Sequence, residues 1–219
     1  PLTTVQNLRN LEEYKQKFMK IGPKYKIARR LGAAVFEKTQ TQKFALSLER
    51  KAKKGFTRPK TEFGLQLNEK QKARLVYALT EKQFSNYVKE AIARKSSAPT
   101  QTLYEFLERR VDNVVYRMGL SSTRLGAKQM VSHGHIAING RRITTPSMRL
   151  SIGDKVSINA RSQNKPLFTN AEERIKDVTV PAWLSFDKTK KTGEVTGLPV
   201  FVKTENVFDL NTVIEFYSR

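Results

Sequence analysis

The chain has 219 residues, of which 38% are hydrophobic, enough for one or two modest cores. Lys and Arg outnumber Asp and Glu by 41 to 20, for a formal charge of +21, and there is no cysteine. Disulfides, thiolate catalysis and cysteine-based zinc sites are therefore excluded, and a polyanion is the expected partner: neutralised phosphates release counterions and drive binding. The charge is uneven. Residues 1–60 carry 16 Lys and Arg against 4 Asp and Glu, whereas residues 181–219 carry 5 of each. A basic arm is expected at the N-terminal end, and the neutral C-terminal end is not the main phosphate binder. Pro1–Lys20 is polar and mixed in charge, so a secretory leader is not expected, and no apolar run suggests membrane contact. The expectation is a cytosolic protein.

Leu8, Leu11, Tyr14 and Phe18 fall near one face of a helix over residues 1–21. Gly22-Pro23 breaks it, and residues 24–35 read as a short basic helix with Ile27 and Leu31 inward. The stretch 37–66 has weak periodicity and is expected to be partly irregular. Asn68 with Gln71, and Thr80 with Gln83, carry capping patterns for the next two helices. In the second of these, Phe84, Tyr87, Val88, Ala91 and Ile92 form a core-facing stripe. Residues 95–99 form a break. Thr102 with Glu105 predicts a helix whose inward face is Leu103, Phe106, Leu107, Val114, Val115 and Met118, ending at Gly119. Ser122 is read as the cap of a further helix closing at Gly134. Asn139-Gly140 between two apolar runs signals a two-residue hairpin, and Val156–Ile158 a strand after the Gly153-Asp154 turn. A short helix at 170–177 and strand pieces at 200–202 and 212–216 complete the reading.

The chain's two histidines, His133 and His135, have no Asp or Glu close in sequence, so a phosphate or base contact is expected and a metal is not. Asp112, in Arg110-Val111-Asp112, sits in a local setting like that of a pseudouridine synthase nucleophile. Its place inside an amphipathic helix favours capping or an Arg salt link instead. No phosphate-binding loop, dinucleotide fingerprint or nucleophile elbow occurs, so neither a catalytic site nor a cofactor or small-molecule substrate is expected.

Binding residues are easier to nominate. Arg109, Arg110, Asn113 and Arg117 lie off the apolar stripe of the first helix of the pair. Ser122, Thr123, Arg124, Lys128 and Gln129 occupy the start and outer side of the second, where free N–H groups favour a phosphate. Arg141 and Arg142 follow the hairpin turn, and Arg forks match phosphate oxygens. Each of these residues alone is ordinary on a surface. Their joint placement at one end of a small module points to RNA.

Residues 103–158, with LERRVDNVVYRMG and VSHGHIAINGRRI, resemble the RNA-binding module of the S-four family of small-subunit ribosomal proteins. The resemblance runs from about Gly22 to Arg219 through IGPKYKIARRLG, FGLQLNEKQKARLVYALTEKQF and the terminal VIEFYSR. It implies an α+β fold: a mostly helical first domain with an inserted RNA-binding module of two helices on a small antiparallel sheet. The implied divisions are an extension at 1–21, a basic helical domain at 22–100, the module at 101–178, and a tail at 179–219 folding back on the first domain. It implies binding to a junction in the 5′ domain of 16S rRNA early in subunit assembly, contacts with ribosomal proteins S-five and S-three, and a part in decoding accuracy. It extends the rRNA contacts to Lys24, Lys26, Arg29, Arg30, Lys70, Lys72, Arg74, Tyr217 and Arg219. It also sets Lys53, Lys54, Arg58 and Lys60 at the channel by which mRNA enters the subunit. The chain departs from the family in lacking the cysteine set that holds zinc in some members, and in having SLERKAKKGF before FGLQL. An RNA-modifying enzyme and a regulatory RNA binder carrying the same module are the alternatives.

Overall fold

The computed structural model describes residues 21–52, 61–94, 98–169, 174–175 and 178–218. Helices α1 (Lys24–Leu31), α2 (Gln42–Ala52), α3 (Glu62–Val76), α4 (Glu81–Ala93) and α5 (Pro99–Glu108) come first. Helices α6 (Val111–Arg117) and α7 (Arg124–Ser132) then lead into strands β1 (Ile136–Ile138), β2 (Arg141–Ile143) and β3 (Lys155–Ile158). After the short α8 (Pro166–Thr169), strands β4 (Leu184–Asp187) and β5 (Thr192–Val195) and helix α9 (Leu210–Ser218) close the chain. The strands form one antiparallel sheet in the order β2-β1-β3-β5-β4. The mixed architecture, helical first part and module of two helices on a small sheet, is the one expected from the sequence.

Local chemistry accounts for most boundaries. Thr80 and Gln83 form the expected reciprocal cap of α4. Helix α3 starts at the Thr61 cap, whose hydroxyl accepts from the Gly64 N–H at 3.2 Å, so Asn68 lies inside it. Likewise α5 starts at Pro99, whose missing N–H costs nothing at the first helical position, and Thr102 is interior. Thr123, not Ser122, caps α7, accepting from the Gly126 N–H at 3.0 Å. Asn139 and Gly140 adopt φ of +49° and +79°, the twist a two-residue hairpin needs.

The expected helix across 103–118 is two helices. In a continuous helix the Val111 and Asp112 N–H groups would donate within the helix. Here they donate to the carbonyls of Met148 and Pro146, at 3.0 and 3.3 Å, and Arg110 bridges Arg149 in extended conformation. An outside segment has captured the backbone, and no Gly or Pro marks the break. The apolar face is divided accordingly. Leu103, Phe106 and Leu107 join the helical core with Leu79, Phe84, Val88 and Val213. Val114, Val115 and Met118 join the module core with Val131, Ile136, Val156 and Trp183. The two cores therefore meet at Arg109–Arg110, and α5 packs with the first domain. A third, smaller cluster holds α1 by Ala28, Leu31, Val35 and Phe36 against Leu75.

The C-terminal part differs most from expectation. Residues 212–216 lie in α9, because Leu210, Val213, Ile214 and Tyr217 share the i, i+3, i+4, i+7 face that packs on the helical core. No strand forms at 200–202. Strands β4 and β5 extend the module sheet, pairing Val156 with Gly193 and Phe186 with Gly193. The segment after residue 178 thus serves the sheet first and the helical core second. The helix expected over 1–21 lies almost wholly outside the described residues, as does most of that at 170–177.

Candidate nucleic-acid interface

The hairpin presents its basic pair to solvent. Arg141 and Arg142 are both exposed. Asn139 braces the turn, donating to Asp154 Oδ1 at 2.8 Å and accepting from the Lys155 N–H at 2.9 Å. Arg142 folds back over Gly134 and donates to the His133 carbonyl at 3.3 Å. A Cβ at Gly134 would lie 2.1 Å from the Arg142 Nε, so this close approach requires glycine. The hairpin, the end of α7 and its two histidines thus form one face.

The His133 and His135 rings are 5.9 Å apart, and His135 Nδ1 lies 3.0 Å from Ser162 Oγ. Burial, then the positive charges of Lys165 and Arg142 nearby, hold the His135 pKa below the ordinary imidazole value. Its ring is neutral at physiological pH. Both histidines border a cleft of about 360 Å³ whose other walls include Ser122, Gln129, Met130, Leu167 and Arg174. Lys165, Leu167 and Arg174 were missed by sequence reasoning; the Asn-Lys-Pro turn before α8 was their nearest signal. Among the described residues, no three His, Asp or Glu side chains come together as metal ligands.

Much of the expected first-helix surface is interior, and this corrects several assignments. Arg110 is 1% exposed, bonded by Nε and Nη2 to Asp112 at 3.0 and 2.7 Å and by Nη1 to the Tyr87 hydroxyl. The Arg salt link expected for Asp112 is therefore present, and Arg110 is not available to RNA. Asn113 is buried, donating to Glu108 Oε2 at 2.9 Å. Arg117 holds the fully buried Glu108 through two bonds of 3.0 and 2.9 Å, and the Tyr77 hydroxyl donates to the same carboxylate at 2.7 Å. Arg124 donates to Asn113 Oδ1 at 2.8 Å and lies over the Tyr116 ring. Lys128 is 6% exposed, and its Nζ has no hydrogen-bond partner among the described residues. Burial lowers its pKa, partly opposed by Asp112. Arg109, half-buried, spends its Nε on the Leu150 carbonyl. The polarity that marked these residues as a surface reflects a charged seam between the two cores.

The seam has a second fastening. Arg149 forms a two-point ion pair with Glu90 of α4 and lies 4.0 Å from the Phe106 ring centroid. Together with Arg110–Tyr87, this ties the 144–150 segment to the helical core.

In the first part of the chain, Lys26, Arg29 and Arg30 stand exposed on α1, and Lys24 lies over the Phe36 ring. Val35, Glu37 and Gln40, just after α1, share a cleft of about 170 Å³ with Tyr116, Arg117 and Arg124. The basic helix thus sits beside the start of the module. Lys70 is buried on Glu81 at 2.8 Å and under the Phe216 ring, and the Tyr217 hydroxyl donates to the same carboxylate. Lys72 pairs with Glu69, and Arg74 with Gln71 and Glu81. Lys70 and Tyr217 thus meet on Glu81 and tie α9 to the start of α4, while Lys72 and Arg74 are half-buried and paired with Glu69, Gln71 and Glu81. Lys53, Lys54, Arg58, Lys60 and Arg219 lie outside the described residues.

Two family models match adjoining parts of the chain: the one described as Ribosomal protein S4/S9 N-terminal domain over residues 19–108, and the S4 domain over residues 109–156. Their junction falls at the observed break between α5 and α6. Among curated relatives, the small ribosomal subunit protein uS4 of Fusobacterium nucleatum is 48% identical over 161 residues, covering 73% of this chain and 80% of the relative. The protein of that name from Chlorobium limicola is 36% identical over 198 residues, covering 89% and 96%. That of Akkermansia muciniphila is 36% identical over 199 residues, covering 90% and 98%.

Proposed function

The chain belongs to the uS4 family of small ribosomal subunit proteins, and from that membership we propose that it is a structural, non-enzymatic component of the small subunit that binds rRNA. The observation that carries the binding reading is the exposed face made by Arg141, Arg142 and His133 on the module, with Lys26, Arg29 and Arg30 on α1 as a second basic surface. Two basic surfaces on a braced frame suit a folded RNA, which proteins read by shape and by splayed bases. The polar seam supplies the frame: Glu108, Arg117, Asn113 and Arg124 fix how the two surfaces stand to one another.

The finer reading is a primary binder of a junction in the 16S rRNA 5′ domain that nucleates assembly in the cytoplasm. In it, the protein adjoins ribosomal proteins S-five and S-three, takes part in decoding accuracy and helps line the channel by which mRNA enters. Sedimentation tests the core of it. Co-migration with small subunits through a high-salt wash is expected, and release would favour a regulatory RNA binder. Turnover in a tritium-release assay on RNA would instead favour a modifying enzyme. For the mRNA channel, neutralising Lys53, Lys54, Arg58 and Lys60 together should slow translation through a stable mRNA hairpin more than it harms assembly; normal transit would count against it.

A further inference from the structure

We infer that the cleft bordered by His133 and His135 takes an unstacked RNA base, so that the module's RNA contact includes one splayed nucleotide as well as phosphates. The inference rests on the RNA-binding reading above and adds the chemical class of what occupies this site.

Size is the first argument. The cleft measures about 360 Å³, within the range of about 300–1,000 Å³ for pockets that enclose organic ligands. The hairpin's exposed Arg141 and Arg142 provide a separate surface for phosphates beside it.

Chemistry is the second. Met130 and Leu167 give apolar walls, and the two imidazoles give ring faces and edges. His135 is edge-on to Phe168 of the module core, at 6.2 Å and 87°, and His133 is edge-on to His135. A chain of rings thus leads from the packed core to the mouth of the cleft and fixes the outermost ring in place. A neutral imidazole beside an apolar wall stacks on a base and does little for a phosphate. His135 is neutral here, because burial, and then the nearby charges of Lys165 and Arg142, lower its pKa.

Polar edges are the third. Ser122 and Gln129 border the cleft with exposed side chains able both to donate and to accept, as a base edge requires. Arg174 Nε is buried and has no hydrogen-bond partner among the described residues. A buried donor left unpaired calls for an acceptor, and base edges supply them. Single-stranded bases in folded RNA are recognised in this way, by stacking on aromatic or His rings and hydrogen bonding at the edges.

The test uses the full chain and a transcript of the 16S rRNA 5′ domain. His133 is exposed, so its replacement leaves the fold intact. His133→Ala should weaken binding roughly 5- to 100-fold, the range for loss of one stacked base. It should leave the slope of log affinity against log salt unchanged, whereas Arg142→Ala should reduce that slope, since counterion release counts phosphate contacts. His133→Phe should restore most of the affinity, because stacking needs a ring and not a charge. Ultraviolet cross-linking should place a nucleotide adduct on the segment 129–135. The inference is overturned if His133→Ala binds within twofold of the parent, if it lowers the salt slope as Arg142→Ala does, or if Phe fails to rescue. If the parent binds no rRNA, the wider reading falls and the cleft assignment with it. If the parent binds and the His133 series is flat, the wider reading stands and the cleft assignment alone is wrong.

Discussion

Replacing Glu108 should cost more stability than replacing any exposed basic residue, although it is fully buried and cannot touch RNA itself. Its carboxylate is fully buried and accepts from the Tyr77 hydroxyl, Asn113 Nδ2 and two Arg117 nitrogens, at 2.7 to 3.0 Å. In Glu108→Ala, Arg117 is partly exposed and regains water, but the buried Tyr77 hydroxyl is orphaned and Asn113 Nδ2 keeps only its 3.0 Å bond to the residue-108 carbonyl. Each orphaned donor costs about 1–3 kcal/mol, and removing one partner of a buried ion pair costs about 3–5 kcal/mol in all. We expect a loss in that range, or a fall in melting temperature of about 6–20 °C for a chain of this size. Glu108→Gln fares little better, because its amide NH₂ must face donors on one side. Urea unfolding followed by circular dichroism measures this. The pH dependence is a second readout. Burial pushes the Glu108 pKa up, but the charge and hydrogen bonds of Arg117, with help from Arg124 and Tyr77, hold it below the ordinary 4.5. The unfolded chain then binds this proton more readily than the folded one, so the stabilisation is complete above about pH 4.5 and drains away as the pH falls below it. The parent should therefore lose stability in acid more steeply than Glu108→Gln. A cost below about 1 kcal/mol, or parallel acid profiles, would refute the claim that this seam holds the two cores together.

Three further perturbations separate frame from surface. Gly140→Val forces a β-branched residue to φ of +79° and should cost about 1–2 kcal/mol or more while displacing Arg141 and Arg142; unchanged rRNA affinity would remove the hairpin from the interface. Lys128→Met replaces a buried ammonium that has no partner among the described residues by an apolar chain of similar length, so urea unfolding should show equal or higher stability and filter binding should show affinity within about twofold. A large loss of affinity would return Lys128 to the RNA contacts. The double change Arg29→Ala with Arg30→Ala touches exposed side chains of α1, so melting should barely move while the log–log salt slope falls by about one to two units; an unaltered slope would exclude α1 from the phosphate contacts.

Much of the fold was legible because local chemistry agrees with it. The capping box at Thr80, the Asn139-Gly140 turn and the stripe through Phe84 and Val88 each state their structure within a few residues. The break at Arg109–Arg110 was not legible, because it is made by Met148 and Pro146, which lie 37 and 34 residues along the chain from the Val111 and Asp112 amides that they capture. The terminal helix was misread for a different reason. Thr212, Val213 and Ile214 are β-branched and suggest a strand, while the deciding signal, Leu210, Val213, Ile214 and Tyr217 on one helical face, needs a core to pack against. The same limit governs the site. A basic residue in sequence looks alike whether it faces water or an internal carboxylate. Arg141 and Arg142 were placed correctly as exposed because a hairpin tip has nowhere else to point them. Arg110, Arg117 and Lys70 were not, because Asp112, Glu108 and Glu81 reach them only in the folded chain.

Chemical probing of full-length 16S rRNA with the purified chain tests the central claim most directly. Protection should cluster at one multi-helix junction of the 5′ domain. It should be lost when Arg141 and Arg142 are both replaced, and weakened when Arg29 and Arg30 are. Protection scattered over many helices, or unaffected by either pair, would contradict a two-surface grip on a single folded RNA site.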